Sequence, residues 1–320
     1  MAEFRLPDAT RLGAAALRVA DLDRSLAFYT DVIGLRQIPA TGAGATPRSE
    51  EGPDAATESG RSAVLSTAPD APPLLTLVER FGARPRPRHT AGLYHFAILL
   101  PSRRDLAAAF LRLHERRWPI DGASDHFVSE AIYLSDPDGN GIEIYADRPR
   151  DSWVWNDGEV YMTTRPLDLR GLLAELGDEA PPRAGLPNGT VLGHVHLHVP
   201  ELDAAQRFYR GVLGFDVVND RYPGARFLSA GGYHHHIGLN IWAGIGVPPT
   251  PEDAAGLIEY EIVVPDDALP GWERHVRDAG LEPRPASGGL AIVDPAGVRV
   301  VVRGPYPPGN AAPQPRDVVH

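Results

Sequence analysis

Two short stretches hold most of the residues that could do chemistry. In GGYHHHIGLN, Gly231 to Asn240, three consecutive histidines sit in a segment that otherwise reads as a strand. If it is extended, His234 and His236 share one face and His235 takes the other, and a bulge would reverse that assignment. In GHVHLHVPEL, His194, His196 and His198 share one face. His196 and His198 would lie about 7 and 14 Å along the strand from His194, to line substrate space or support a ligand. The chain has no cysteine, which excludes a disulfide framework and thiolate chemistry. A transition metal would have to use His, Asp, Glu or water, which points to Fe(II), Mn, Zn or Co.

These residues belong to a chain of 320 residues with 43% hydrophobic content, long enough for two domains. Its net charge is −11, from 31 Lys+Arg against 42 Asp+Glu. That balance disfavours nucleic acid or an anionic membrane surface as the main partner. The opening MAEFRLPDAT has no apolar run like a signal peptide, and nothing later approaches a membrane span. A soluble cytoplasmic protein is expected. Residues 39–60 read as a flexible loop and 306–320 as a loose tail.

The elements that position the histidines are repeated. LGAAALRVADLDRSLAFYTDVIGLR, Leu12 to Arg36, nearly superimposes on LGHVHLHVPELDAAQRFYRGVLGFD, Leu192 to Asp216. Each opens as an alternating strand and continues as a helix. Asp21 or Asp23 can cap the first helix, and Gly34 and Gly214 fit left-handed C-caps. Two weaker copies begin at GLYHFAILL and GLIEYEIVV, and each later reaches a strand through an Asp-Pro turn. The chain thus reads as four modules, near 12–78, 92–148, 192–242 and 257–304. Such small units cannot bury their own faces and must pair. Two modules per domain give a first domain at 10–150, a linker at 151–187 and a second domain at 188–305. Trp153 and Trp155, in the linker, are expected mainly to pack between domains.

DLDRSLAFYTDVIGLR and DPDGNGIEIY match common signatures of the vicinal oxygen chelate superfamily, and the chain resembles it over most of residues 10–304. That group includes glyoxalase I, bleomycin-resistance proteins and extradiol catechol dioxygenases. GHVHLHV, GGYHHHIGLN and SEAIYLSDPDGNGIEIYADRP make the chain most similar to its two-domain catechol-2,3-dioxygenases. The resemblance implies an α+β fold, with four βαβββ modules paired into two vicinal-oxygen-chelate domains. It also implies that a module's first and last strands each offer a metal ligand. Those positions fall on Ala14 in module one, on His95 and Glu143 in module two, on His194 and His236 in module three, and on Glu259 and Val301 in module four.

Two arrangements follow. If module two faces module three, His95, Glu143 and His194 form a two-histidine, one-carboxylate triad, with His236 adjacent or as a fourth ligand. If each domain closes its own cup, the ligands are His194, His236 and Glu259. The first is favoured, because Glu143 in the intact DPDGNGIEIYADRP strand stands where the family places its carboxylate and because Ala14 and Val301, which cannot bind metal, would then share the vacant cup. Around that site, His236 could serve as a base, His126 could reach the cup wall, and Tyr145 could donate a hydrogen bond.

Three protein ligands leave positions open at Fe(II), so the expected function is extradiol cleavage of a small aromatic diol by dioxygen. Mn(II) accepts the same ligands. Four strong ligands holding Zn(II) or Ni(II) would instead indicate a glyoxalase-type lyase or isomerase. A metal-free apolar cup would indicate a sequestering resistance protein. Exposed sheet edges leave homo-oligomerisation open.

Overall fold

The computed structural model of the chain describes residues 4–39, 60–178, 185–286 and 288–307. Most of the loop expected at 39–60 and of the tail expected at 306–320 lies outside the described residues. Among the described residues, no helix is long and apolar enough to cross a membrane.

The repeated segments fold alike for local reasons. After the strand Arg11–Val19, Asp21 accepts the Arg24 N–H and caps the helix Leu22–Ala27. The helix widens into a π-helical turn, Phe28–Ile33, which ends at Gly34 with φ 96°. In module three Glu201 caps Leu202–Gln206, and the π-helical turn Arg207–Leu213 ends at Gly214 with φ 95°. Both glycines hold the left-handed conformation that only a residue without Cβ adopts cheaply.

Strand pairing then joins modules that are distant in sequence. Arg11–Val19 of module one lies antiparallel to Gly256–Val263 of module four, at the centre of an eight-stranded sheet. Gly92–Leu100 of module two lies antiparallel to Val191–His198 of module three, at the centre of a nine-stranded sheet, with His95 opposite His196. Each segment of the expected division, 10–150 and 188–305, therefore gives one module to each sheet. The division describes chain order, and the hydrogen-bonded sheets run across it.

Modules adjacent in sequence are stitched by another device. The Tyr29 hydroxyl of module one donates to Asp136 in the Asp-Pro turn of module two, at 2.9 Å. The Tyr209 hydroxyl of module three donates to Asp294 in the equivalent turn of module four, at 2.6 Å. Each aspartate also accepts backbone N–H groups within its own turn. One carboxylate thus shapes a turn and docks a neighbouring helix. The linker folds back on module three, where buried Trp153 packs on Tyr233 with ring centroids 5.7 Å apart.

Burial pushes the Asp294 carboxyl up to about 6, against the opposing hydrogen bonds from Tyr209 and the turn. A carboxyl whose folded-state pKa is raised contributes stability below its unfolded value, near 4, and loses it as pH rises through 6. Relative to Asp294→Asn, the wild type should lose on the order of 3 kcal/mol between pH 4 and pH 7. Urea midpoints measured across that range would check this, and parallel curves for the two proteins would contradict it.

Candidate metal centre

The central pair of the nine-stranded sheet creates the site. Gly92–Leu100 runs parallel to Gly141–Asp147, with Ala97 beside Glu143, and antiparallel to Val191–His198. His95, Glu143 and His194 thereby converge from three neighbouring strands, and all three are buried. One ligand-capable atom from each lies within 4.8 Å of the others, the one such cluster of histidine and acidic side chains among the described residues. Nε2 of His95 and Nε2 of His194 each lie 3.1 Å from Oε2 of Glu143. Only the His194 contact has hydrogen-bond geometry, and His95 Nε2 is left without a partner.

The electrostatics fit a divalent cation. Burial alone would push the Glu143 carboxyl up, but the two imidazoles outweigh it and hold the group well below the usual carboxylate range. Burial lowers His194 to about 4 despite its glutamate neighbour, so its imidazole is neutral at neutral pH, the form that binds metal. A buried carboxylate facing two imidazoles, one of them with an orphaned nitrogen, is a set that a cation completes.

A cavity of about 650 Å³ opens onto His95 and Glu143. His235 lines it and packs against His194, with ring centroids 4.1 Å apart and the rings tilted by 47°. The neighbours of His235 fix its tautomer. In the neutral form of His234, Nε2–H donates to Asp147 at 2.9 Å and Nδ1 carries a lone pair. His235 Nδ1–H donates to that lone pair at 2.8 Å, which leaves the lone pair of His235 on Nε2. On the other flank, His126 Nδ1–H donates to the Thr163 carbonyl at 2.6 Å, and its Nε2 accepts the Tyr133 hydroxyl at 2.7 Å. Burial and the neighbouring Glu143 carboxylate push the Tyr133 hydroxyl well above its ordinary value, so it stays protonated.

The other expected residues are placed differently. His236 does not line the cavity, and its Nδ1 accepts the backbone N–H of Ala230 at 3.2 Å. The strand begins only at Ile237, after bends at 234 and 236, so an extended run through the three histidines is not formed. Gly231 and Gly232, both with positive φ, make the turn before it. The face expected for His236 is therefore occupied by His235. Tyr145 is fully buried beside His194, with its hydroxyl bonded to that of Tyr233 at 2.7 Å, and it backs the ligand instead of facing the cavity. The alternative set of His194, His236 and Glu259 does not come together. Glu259 lies in the other sheet, hydrogen-bonded to Arg299 at 2.6 Å.

His126 reaches the cavity wall as expected. Tyr133 was missed, although counting back from the Asp-Pro-Asp-Gly-Asn turn pairs it with Glu143 across the hairpin. His196 and His198 line the cavity further along the strand, and His198 Nδ1–H donates to Asn240 at 2.6 Å.

The profile of the Glyoxalase/Bleomycin resistance protein/Dioxygenase superfamily matches residues 11–144 and 191–302. The chain is 46% identical over 291 residues to the catechol-2,3-dioxygenase of Bacillus subtilis (strain 168), a match spanning 89% of this chain and 94% of that protein. It is 34% identical over 77 residues to biphenyl-2,3-diol 1,2-dioxygenase 3 of Rhodococcus globerulus, 23% of this chain and 40% of that one. The crystal structure of glyoxalase I from Zea mays shares the fold with a TM-score of 0.55 at 19% identity, over 92% of each chain.

About one divalent ion per chain is expected after anaerobic purification, from the single cluster. Glu143→Ala and His95→Ala should lose it, whereas His236→Ala should keep it. Elemental analysis of the folded variants reads this directly. Metal loss in His236→Ala together with retention in His95→Ala would refute the assignment.

Proposed function

The chain belongs to the glyoxalase/bleomycin resistance protein/dioxygenase superfamily, and from that premise we propose its reaction and the residues that carry it. It is a metal-dependent dioxygenase of the extradiol type, which opens the ring of a catechol-like diol with dioxygen. The carrying observation is the buried two-histidine, one-glutamate set at the floor of a cavity large enough for an aromatic ring. The relative that matches over nearly its whole length carries the name catechol-2,3-dioxygenase. The reaction balances without another reductant: catechol and one dioxygen give a ring-opened hydroxy semialdehyde that holds both oxygen atoms.

Fe(II) is the proposed metal, held by His95, Glu143 and His194. When bound, it supplies open positions for chelation of the diol and redox chemistry toward dioxygen. The remaining work belongs to side chains. His235 accepts a phenolic proton at Nε2, and His234 and Asp147 fix the ring in the tautomer that can do so. Burial keeps His235 well below its ordinary pKa, so it is neutral before the diol arrives. On the opposite flank the Tyr133 hydroxyl, bonded to His126, faces the cavity as a polar contact for the diol. Tyr94, Phe227 and Trp242 give the ring apolar walls and displace water from the diol. A four-ligand site of the glyoxalase type would need His236, whose Nδ1 is engaged by the Ala230 backbone.

His235→Ala should lower kcat by about 10²- to 10⁴-fold, the usual weight of a positioned acid or base, with metal content unchanged. Tyr133→Phe should lower kcat less and leave KM for the diol nearly constant. Oxygen uptake with catechol, calibrated to one dioxygen per ring opened, is the assay. An Fe(II)-loaded wild type that consumes no oxygen with any catechol would overturn the reading.

A further inference from the structure

We infer that the preferred diol carries an anionic substituent, a carboxylate a few bonds from the ring, which Arg86 holds at the end of the cavity away from the metal ligands. The inference rests on the dioxygenase reading for the position of the diol, and on separate residues for the anion.

From His95 and Glu143 the cavity passes His196 and His198 and reaches Arg86 and Arg88. Val191–His198 sets the scale. His194 and His198 are four residues apart, about 14 Å along an extended strand. A ring bound through its diol at the first end cannot touch the second without a substituent that spans part of that length. The ring itself would lie among Tyr94, Phe227 and Trp242.

Among the described residues, Arg86 has no acidic partner. Its Nη1 is buried and has no hydrogen-bond partner among the described residues. Burial lowers its pKa, and no carboxylate acts on it to oppose that. Its charge is felt by His198, whose imidazole is also held neutral by burial. Asp121, the other acid on the cavity wall, accepts the Ser135 hydroxyl at 2.8 Å. It therefore belongs to the flank of the Ser129–Ser135 strand, which the sheet order separates from Val191–His198. Arg86 is partly exposed, but leaving its buried Nη1 unpaired is costly, and a ligand that brings an anion offsets that cost. The planar fork of arginine matches a carboxylate in particular.

The position of Arg86 is also fixed. Its segment connects modules one and two and is bridged on both sides to the connection between modules three and four, Arg84 to Ala254 and Ala91 to Pro249. Arg84 adds an ion pair to Asp253 at 2.8 Å, and the Thr250 hydroxyl donates to the Ala91 carbonyl at 2.7 Å. An arginine at the tip of a loose loop would have no such anchors.

The test compares 3-(3,4-dihydroxyphenyl)propionate with its neutral methyl ester, on Fe(II)-loaded wild type, Arg86→Met and Arg86→Lys. Two readouts are taken, kcat/KM by oxygen uptake and Kd by anaerobic calorimetry on the metal-loaded protein. A charge-assisted contact should favour the acid by about tenfold or more in the wild type. The ratio should collapse toward one in Arg86→Met and be intermediate in Arg86→Lys, which keeps the charge and loses the fork. Equal handling of acid and ester by the wild type would overturn the inference, as would a full preference surviving in Arg86→Met. A binding preference that depends on Arg86, without oxygen uptake on any diol, would uphold the anion site and defeat the dioxygenase reading.

Discussion

A carboxylate buried against two imidazoles is the constraint on which the rest of this structure turns. Glu143 sits inside a sheet between Ile142 and Ile144, where an isolated charge has no solvent to screen it. His95 comes from the adjacent parallel strand of its own module, but His194 can arrive only if module three lies antiparallel against module two. The pairing of modules distant in sequence is therefore a condition for the site. The Tyr29–Asp136 and Tyr209–Asp294 bonds then hold sequence neighbours together across the two sheets.

Behind the cavity a second polar layer orients the first. Asp147 accepts both His234 Nε2–H and the Tyr233 hydroxyl, and Tyr233 in turn bonds Tyr145 beside His194. One carboxylate thus sets the tautomer of His235 through His234 and braces His194 through two tyrosines. Such a network specifies positions well because every member is satisfied by another.

Much of this was legible in the sequence. The repeat, the caps and the terminal glycines follow from local patterns that do not depend on how modules pair. Ala14 marked module one as unable to contribute a ligand, and the intact DPDGNGIEIY strand pointed to Glu143. The histidine run was harder, because alternation holds only inside a strand. The two glycines before Tyr233 delay the strand until Ile237, and that delay of a few residues exchanges His236 for His235. Arg86 carried no local signal at all, since its burial depends on a connection that is pinned only after both sheets exist.

The two sheets resolve buried charge in opposite ways. In the eight-stranded sheet, Glu261 accepts Arg303 at 3.0 Å, the backbone N–H of Ala14 at 3.1 Å and the Tyr306 hydroxyl. Its oxygens are met by the protein's own guanidinium, amide and hydroxyl. In the nine-stranded sheet, Glu143 meets two imidazoles and the Tyr133 hydroxyl, and Arg86 at the far end of the same cavity has no acidic partner among the described residues. Swapping either feature for an internal pair would make the fold more self-sufficient and remove its chemistry. A cavity with an unmet negative charge at one end and an unmet positive charge at the other calls for a cation together with a bifunctional organic ligand. A diol that chelates the cation and bears an anion at its opposite end satisfies both demands at once.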